Sequence, residues 1–355
     1  MKITKIPGLG RFGVFIDDID FNTITDEEWM EVGRIHLETL VTIIRTPKID
    51  PVRYAQLIHM WGTPRLNLPL NIYRKYGMKM RDAMVARVLS KEDRFAIRTF
   101  RDLAESEEYA VARVTPKKDE KGKNIGLFGD GELLWHSNEC GNHWFTPGVS
   151  LMGYESMTGS CTGFLTTPDY YESLPESFQR ELDDMIVVHN YRENSVNPDD
   201  PQAEQNSFYK NNMCPFPDSR VPLIIKSPAG IKGIHLGLNT FDRIEGMSKE
   251  ESDKLFTRIQ TELFVEKYQY DHWYQHDGDI CLFDNSITLH RRKIANNGFS
   301  PNRVGMRIQY DYDKLVPEYN PYYQEEFNVE RADMINLYRE SIKEDNNAQE
   351  SEFQL

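Results

Sequence analysis

Two histidines far apart in the chain, His136 and His290, have neighbours that suit a metal site. Each comes where an apolar strand pattern is expected to end, and Asn138 and Glu139 follow the first one closely. Two imidazoles and one carboxylate on one face of an ion, with open positions opposite, are the ligand set of non-haem Fe(II) oxygenases. The residue types therefore predict an iron centre built from two distant parts of the chain.

Two arginines, Arg303 and Arg307, follow the second histidine. The planar guanidinium group of arginine pairs with a carboxylate through two parallel hydrogen bonds. An arginine shortly after His290 could therefore hold a dicarboxylate cosubstrate beside the metal.

Composition limits the classes of partner. The chain has 355 residues, 39% of them hydrophobic and 12% aromatic, which allows one large domain with insertions or two domains. A formal net charge of −14 disfavours binding to phosphate backbones and gives no support to a role at a membrane surface. We expect a small-molecule substrate and neither nucleic acid nor membrane as a partner, and a homo-oligomer stays open.

The sequence also predicts a cytoplasmic location. Residues 1–8 lack the apolar stretch of a secretory signal, and no apolar run approaches the roughly 18 residues that a membrane helix needs. The cysteines show no CxxC spacing, which favours reduced thiols over a disulfide framework or a zinc site. They are Cys140, Cys161, Cys214 and Cys281.

Helix starts are predicted from side-chain caps. A Ser or Thr with Glu three residues later can satisfy two backbone N–H groups reciprocally, and this pattern occurs at Thr25, Ser173 and Ser248. Asp50-Pro51 marks a further start. Strand patterns are expected at about 12–17, 40–45, 149–154, 163–167, 279–283 and 304–310, and as a hairpin around 227–230.

The domain organisation is predicted from polarity along the chain. Residues 190–222 are polar and contain Pro, Asn and Asp throughout, so they form either a lid over the site or a solvated loop without a role. Residues 341–355 are expected to be a flexible tail. We expect residues 1–340 to form a single catalytic domain with helical flanks.

The order of elements in residues 10–312 resembles the TauD/TfdA (taurine dioxygenase-like) family of Fe(II)/2-oxoglutarate-dependent oxygenases. That family folds as a double-stranded β-helix (jelly roll, cupin-like), so the resemblance implies a mainly β fold with flanking helices. Four stretches carry the likeness: residues 13–62, Trp135-His136 with Thr146-Pro147-Gly148, residues 159–175, and residues 278–307.

The resemblance also implies roles for individual residues. His136 and His290 resemble iron ligands. Arg303 resembles the arginine that binds the far carboxylate of 2-oxoglutarate, and Thr162 stands where the family has a threonine bonded to that carboxylate. Arg307 resembles the second arginine, which contacts an anionic substrate in some members.

Two further residues are expected to contact the substrate. Asn71 and Tyr73 lie in the segment where the family contributes substrate contacts.

The first metal motif departs from the family pattern. The family has Asp or Glu two residues after the first histidine, whereas this chain has Asn138 there and Glu139 one residue later. Glu139 could supply the carboxylate through a local bulge, Asn138 could bind through its amide oxygen, or no protein carboxylate binds, as in the family's halogenating relatives. Position along the strand favours Asn138, and charge favours Glu139.

The resemblance implies a dioxygenase that uses Fe(II), 2-oxoglutarate and O2 to hydroxylate a small anionic or amino-acid-like substrate. A halogenase or desaturase with the same iron centre is the first alternative, because of Asn138. A catalytically inactive binding protein that kept the barrel is the second.

Overall fold

A computed structural model describes residues 1–62, 64, 111–118, 120, 122, 126, 131–138, 140, 146–189, 219–238, 240–293 and 300–319. The strands in these residues are β1 (Lys2–Lys5), β2 (Val14–Asp17), β3 (Val41–Ile44), β4 (Ala112–Val114), β5 (Leu133–His136), β6 (Gly148–Glu155), β7 (Cys161–Thr166), β8 (Ile186–His189), β9 (Ser219–Pro222), β10 (Ile224–Lys226), β11 (Lys232–Ile234), β12 (Phe241–Ile244), β13 (Gln269–Trp273), β14 (Ile280–Asp284), β15 (Thr288–Arg292) and β16 (Val304–Tyr310). The helices are α1 (Asp26–Thr39), α2 (Pro51–His59), α3 (Pro168–Ser173), α4 (Glu176–Asp183) and α5 (Lys249–Leu263), with a 3₁₀ helix at Glu266–Tyr268.

Both faces of the larger sheet carry buried apolar residues, so each face needs cover. Its strands lie in the order β1-β2-β3-β14-β6-β16-β4 within the described residues. One face packs against α1 and α2 through a buried cluster that includes Trp29, Leu57 and Ile308. Tyr54 of α2 bonds through its hydroxyl to Ser150 Oγ at 2.6 Å, which ties this helix to β6. The helices thereby fix the back of the strands whose other face lines the site.

The smaller sheet contains the strands β13-β7-β15-β5 in that order. Its neighbours are all antiparallel, so consecutive residues alternate between its two faces. Leu165 and Leu289 on one face pack against the cluster that contains Leu263 of α5 and Tyr170 of α3. The neighbouring residues on these strands, such as Phe164 in β7 and His290 in β15, point to the other face, toward the larger sheet.

The two sheets face each other across an apolar core. Phe164 of β7 and Phe283 of β14 lie with ring centroids 5.3 Å apart, and both are buried. Phe283 also packs against the ring of His290, at 4.6 Å between centroids. The facing sheets with helices on their outer sides are the arrangement that the sequence resemblance implies.

Most of the local sequence expectations are confirmed. Thr25 and Ser248 form complete capping boxes at α1 and α5, and Asp50 caps α2 through its carboxylate. Strands occur at each of the predicted places, including the hairpin of β10 and β11. The predicted capping box at Ser173 is wrong: α4 begins after Pro175 without a side-chain cap, since Ser173 is the last residue of α3 and its hydroxyl donates to Tyr170 O.

Only the last four residues of the insertion predicted at 190–222 lie within the described residues. Residues 219–222 are strand β9, which pairs with β8, so this end belongs to a sheet rather than to a loop. Residues 190–218 and the predicted tail at 341–355 lie outside the described residues. A single catalytic domain over residues 1–340 stays a prediction.

None of the helices in the described part of the chain has the length and hydrophobicity that crossing a bilayer requires.

His36 links the stability of the helical layer to pH. It is fully buried on α1, and its ring nitrogens lie 2.8 Å from Tyr312 Oη and 3.3 Å from Thr42 Oγ1. Burial lowers its pKa to about 3. The folded state therefore holds fewer protons than the unfolded state between pH 6.5 and about 3, and stability is lost as pH falls through that window.

We expect His36→Gln to weaken this pH dependence. Between pH 6.5 and 4.5 the loss of unfolding free energy per pH unit should be about 1.4 kcal/mol smaller in the variant, because one buried site no longer has to stay neutral. Denaturant unfolding at four pH values measures the slopes, with the exposed His276→Gln as control. Equal slopes in wild type and His36→Gln would contradict the assignment.

Candidate metal centre

The two predicted histidines are direct neighbours across a strand pair. His290 of β15 lies opposite His136 of β5 in the antiparallel register. Residues directly opposite in such a pair point to the same face, and the two ring centroids are 4.1 Å apart. His136 ends its strand as expected, whereas His290 lies in the middle of β15, so the prediction that it ends a strand is wrong.

Both imidazoles are held in the neutral form that binds metal ions. His136 Nδ1 lies 2.7 Å from Leu134 O and donates to it, which leaves the lone pair on Nε2. Burial, and then the charges of Arg307 and Arg292, lower the pKa of His136 to about 4 despite that bond. Burial also lowers the pKa of His290 well below its ordinary value, with further contributions from His136 and Arg307.

The donor set fits a divalent metal ion. Nδ1 of His290 is buried and has no hydrogen-bond partner among the described residues. Both rings line one cavity with a volume of about 70 Å³. No group of three or more His, Cys, Asp or Glu gathers as a metal site in the described part of the chain, so no third ligand of these types accompanies the two histidines there.

Of the two residues that could supply a third ligand, the structure describes Asn138. Asn138 is buried and lines the cavity with the histidines, and its Nδ2 has no hydrogen-bond partner among the residues described. Amide oxygen and nitrogen exchange places when the group is turned over, so this amide can present its oxygen instead. Glu139 lies outside the described residues.

Arg303 and Arg307 line the same cavity from the larger sheet. Arg307 lies on β16 opposite Leu151 of β6, and Arg303 comes directly before this strand. Both side chains are more than nine-tenths buried. The hydroxyl of Thr115 donates to Arg303 O at 2.7 Å, which holds the backbone at the start of β16.

Thr162 lines the cavity from the smaller sheet. It lies on β7, two residues before Phe164, which is the direct partner of His290. Thr162 lies near buried Tyr274 and lowers the pKa of that tyrosine's hydroxyl, which lies 3.3 Å from Cys281 Sγ. Thr162 and Arg303 therefore come to the cavity from opposite sheets.

Asn285 positions the first metal motif, a role that the sequence did not reveal. Its Oδ1 accepts from the backbone N of Asn138 at 2.8 Å, and its Nδ2 donates to the O of Asn138 at 2.8 Å and of Thr146 at 3.0 Å. Ser137 donates to Asn285 O at 2.6 Å. Asn285 is fully buried, so this single side chain joins the end of β14 to the turn after His136.

Two further arginines line the cavity next to His290. Arg291 is balanced by Asp271, at 3.0 Å from Nη2 to the carboxylate, and its guanidinium lies 4.2 Å from the Trp135 ring centroid. Arg292 is buried and donates from Nε to Gly131 O at 2.9 Å. Strand alternation could have found Arg292, because it stands two residues after a predicted ligand on one strand.

Six predicted site residues thus meet in one cavity, and their roles stay predictions. They are His136, Asn138, Thr162, His290, Arg303 and Arg307. Asn71, Tyr73 and Glu139 lie outside the described residues.

Comparison with known proteins identifies the same family as the sequence resemblance, over nearly the whole chain. Residues 6–309 match the family described as "Taurine catabolism dioxygenase TauD, TfdA family". An alkylsulfatase of Acinetobacter baylyi is 27% identical over 158 residues, which are 42% of this chain. The match spans 47% of the alkylsulfatase, less than half of its length.

Solved structures confirm the double-stranded β-helix. AAD-2 in complex with Mn(II) and N-oxalylglycine superposes with a TM-score of 0.60 at 15% identity, covering 91% of this chain and 100% of that one. A taurine dioxygenase from Burkholderia xenovorans superposes with a TM-score of 0.59 at 14% identity, covering 87% and 89%. At these identities the likeness concerns the fold.

We expect Asn285→Ala to loosen the metal motif. The variant leaves buried backbone groups of Asn138 and Thr146 without partners, and each should lower the free energy of unfolding by about 1–3 kcal/mol. Loss of a residue that orients a metal ligand typically lowers metal affinity about 10-fold or more. Denaturant unfolding and anaerobic equilibrium dialysis of Fe(II) measure the two effects.

Two matched variants make this test specific. Asn285→Asp keeps the acceptor oxygen but not the donated bonds, and we expect intermediate Fe(II) affinity. Asn22→Ala, at an exposed turn, should change neither quantity. A stable Asn285→Ala protein with wild-type Fe(II) affinity would refute the positioning role.

Proposed function

Because the chain belongs to the taurine catabolism dioxygenase TauD/TfdA family, we propose that it is an Fe(II)- and 2-oxoglutarate-dependent dioxygenase that hydroxylates a small anionic substrate. The observation that carries the proposal is the pairing of His136 with His290 across two strands, at 4.1 Å between ring centroids. Arg303 and Arg307 line the cavity that these rings share.

The iron would be held by His136 and His290, with Asn138 or Glu139 as the third ligand. Bound Fe(II) supplies the activation of O2 that couples decarboxylation of 2-oxoglutarate to oxidation of a C–H bond. The protein's part is to keep both imidazoles neutral and oriented. Burial keeps them neutral, and the bond from His136 Nδ1 to Leu134 O sets which nitrogen faces the ion.

2-Oxoglutarate would be held at its far carboxylate by Arg303 and Thr162. A buried guanidinium offers two parallel donors to a carboxylate, and a threonine hydroxyl adds a third. Thr115 holds the backbone of Arg303 by donating its hydroxyl to Arg303 O. The cosubstrate would thus bridge the two sheets and exclude water between them.

An anionic substrate is supported by the charge of the cavity. The described residues that line it include four arginines and neither Asp nor Glu, and Asp271 outside the lining balances one of them, Arg291. Arg307 affects the pKa of both histidines, so its charge lies close to the proposed ion. The relative from Acinetobacter baylyi is named as an alkylsulfatase, which would act on an anionic ester. A sulfate-type or other oxyanion substrate fits this charge better than a neutral one.

Halogenation is a second candidate because the described cavity lining carries no carboxylate beside the histidines. A halide could then take the position of the missing ligand. Reaction in the presence of chloride separates the candidates: a product with the chlorine isotope pattern in its mass spectrum favours halogenation, and a mass gain of one oxygen favours hydroxylation.

The remaining expectations stay proposals. They are a cytoplasmic location, a homo-oligomer, and substrate contacts by Asn71 and Tyr73, each proposed from the sequence.

Removal of either histidine tests the iron site. We expect His136→Ala and His290→Ala each to abolish stoichiometric Fe(II) binding in anaerobic dialysis, because one remaining imidazole cannot hold the ion. His276→Ala is the matched control, since this histidine is 55% exposed outside the cavity. Retained binding in both variants would refute the metal site and favour an inactive binding protein.

The third ligand is identified by two more variants in the same assay. If Glu139→Ala lowers Fe(II) affinity and Asn138→Ala does not, the carboxylate completes the site. The opposite result assigns the amide. If neither variant lowers the affinity, the two-histidine site of a halogenase gains support.

Arg303→Gln should weaken 2-oxoglutarate binding about 100-fold, because truncating a buried charged partner costs several kcal/mol. The weak visible band that forms when 2-oxoglutarate chelates Fe(II) without oxygen measures the affinity. Arg180→Gln, an exposed arginine on α4, is the control. Unchanged affinity in Arg303→Gln would exclude this arginine as the anchor.

A further inference from the structure

Gly305 lies between Arg303 and Arg307 in the chain and has no side chain to fill the cavity that all three residues line. Residues two apart on a strand share one face and lie roughly 7 Å apart, so Gly305 and Arg307 of β16 face the cavity together. The space over Gly305 therefore belongs to the same cavity as the metal centre, on the wall that the larger sheet forms.

The backbone at this position does not require glycine. The φ angle of Gly305 lies outside the left-handed region that favours this residue. The register of β16 with β6 shifts between Val304 and Gly305, but a residue with an ordinary φ angle can occupy such an irregularity. Glycine weakens a strand that has neighbours on both sides, as β16 has, and in such a strand it often marks the close approach of a ligand.

Two apolar side chains border the space that the missing side chain leaves. A Cβ atom built on Gly305 would lie 3.0 Å from Leu151 Cδ1 and 3.6 Å from Val114 Cβ, with Met152 O at 3.8 Å. Leu151 and Val114 both line the cavity and are half-buried. A larger residue at position 305 would have to displace the end of Leu151, and it would narrow this part of the cavity.

Further apolar side chains continue this lining among the described residues. Leu133 of β5 is half-buried and lines the cavity from the smaller sheet, and Met157 and Phe283 line it as well. Half-buried apolar side chains meet water when no ligand covers them, so contact with an aliphatic group of a ligand is favourable there. The lining therefore suits a substrate that carries an aliphatic part.

We propose that Gly305 is a specificity-determining residue, and that the space between Val114 and Leu151 receives the aliphatic part of the substrate and limits its length. This inference rests on the proposed function and deepens it, because it assigns the substrate class: a molecule in which an aliphatic chain carries the polar group. The size of the side chain at position 305 then selects among chain lengths.

Binding of homologous probes to the anaerobic complex of the protein with Fe(II) and 2-oxoglutarate tests the proposal. The probes are the alkane-1-sulfonates from ethane to octane and the primary alcohols from ethanol to octan-1-ol, and isothermal titration calorimetry measures their affinities. For the wild type we expect the affinity in at least one series to rise about 4-fold with each added methylene group, until the chain fills the space beside Gly305.

Two substitutions should shift the chain length that binds most tightly in opposite directions. Gly305→Ala narrows the space, so it should weaken the best wild-type probe about 10-fold or more and favour a shorter chain. Leu151→Ala widens the space and should favour a longer chain. The double variant should return toward the wild-type preference, because the two changes act on one shared space. Loss of stability alone would not produce this recovery.

Three controls separate recognition from structure. Ile3→Ala removes an exposed apolar side chain from β1 of the same sheet and should leave the chain-length preference unchanged. The affinity for 2-oxoglutarate should change less than about 3-fold in Gly305→Ala and Leu151→Ala. Thermal unfolding shows whether the fold is retained. The added Cβ meets the movable end of Leu151 most closely, and Leu151→Ala keeps the test valid if Gly305→Ala unfolds.

The outcomes distinguish this inference from the proposed function. A normal 2-oxoglutarate band with an unchanged chain-length preference in Gly305→Ala and Leu151→Ala overturns the role of Gly305 alone. Equal losses of affinity at every chain length also overturn it, because the substitutions would then act on the structure as a whole. A wild-type complex that binds no probe, or binds all lengths equally, overturns it as well. Absence of the 2-oxoglutarate band in the wild type overturns the proposed function.

Discussion

The register between β5 and β15 is the constraint on which the rest of the site depends. Because His136 and His290 are direct partners in this pair, one set of backbone hydrogen bonds places both rings on the same face. A shift by one residue would turn one ring to the opposite face, toward the packed helices. Main-chain pairing between β5 and β15 therefore determines whether both histidine rings can reach the cavity.

The two sheets divide the work of the site between them. The smaller sheet carries the histidines and Thr162, and the larger sheet carries Arg303 and Arg307. Phe164 and Phe283 pack between the sheets next to His290 and set their separation there. Asn285 then connects the end of β14 in the larger sheet to the turn after His136. A change in sheet packing would therefore alter the metal ligands and the anion-binding residues together.

Local features were predictable from sequence because their causes are local. Thr25 and Ser248 begin helices through contacts three residues away, and the β-branched run before Arg45 forms a strand as expected. The capping box predicted at Ser173 was wrong, because α4 begins after Pro175 without a side-chain cap. The histidines could be predicted through the family resemblance, but their register could not. The contacts of Arg292 and Asn285 could not be predicted, because their partners, Gly131 and Asn138, lie far away in the chain.

The clamp formed by Asn285 has a consequence for how the enzyme matures. It joins residues that are 147 positions apart, and closing so long a chain segment costs entropy that only the completed sheets can offset. During synthesis, therefore, the chain must be released from the ribosome to beyond His290 before this pocket can bind an ion. Metal would be loaded last, onto a finished scaffold, and could not guide the early steps of folding.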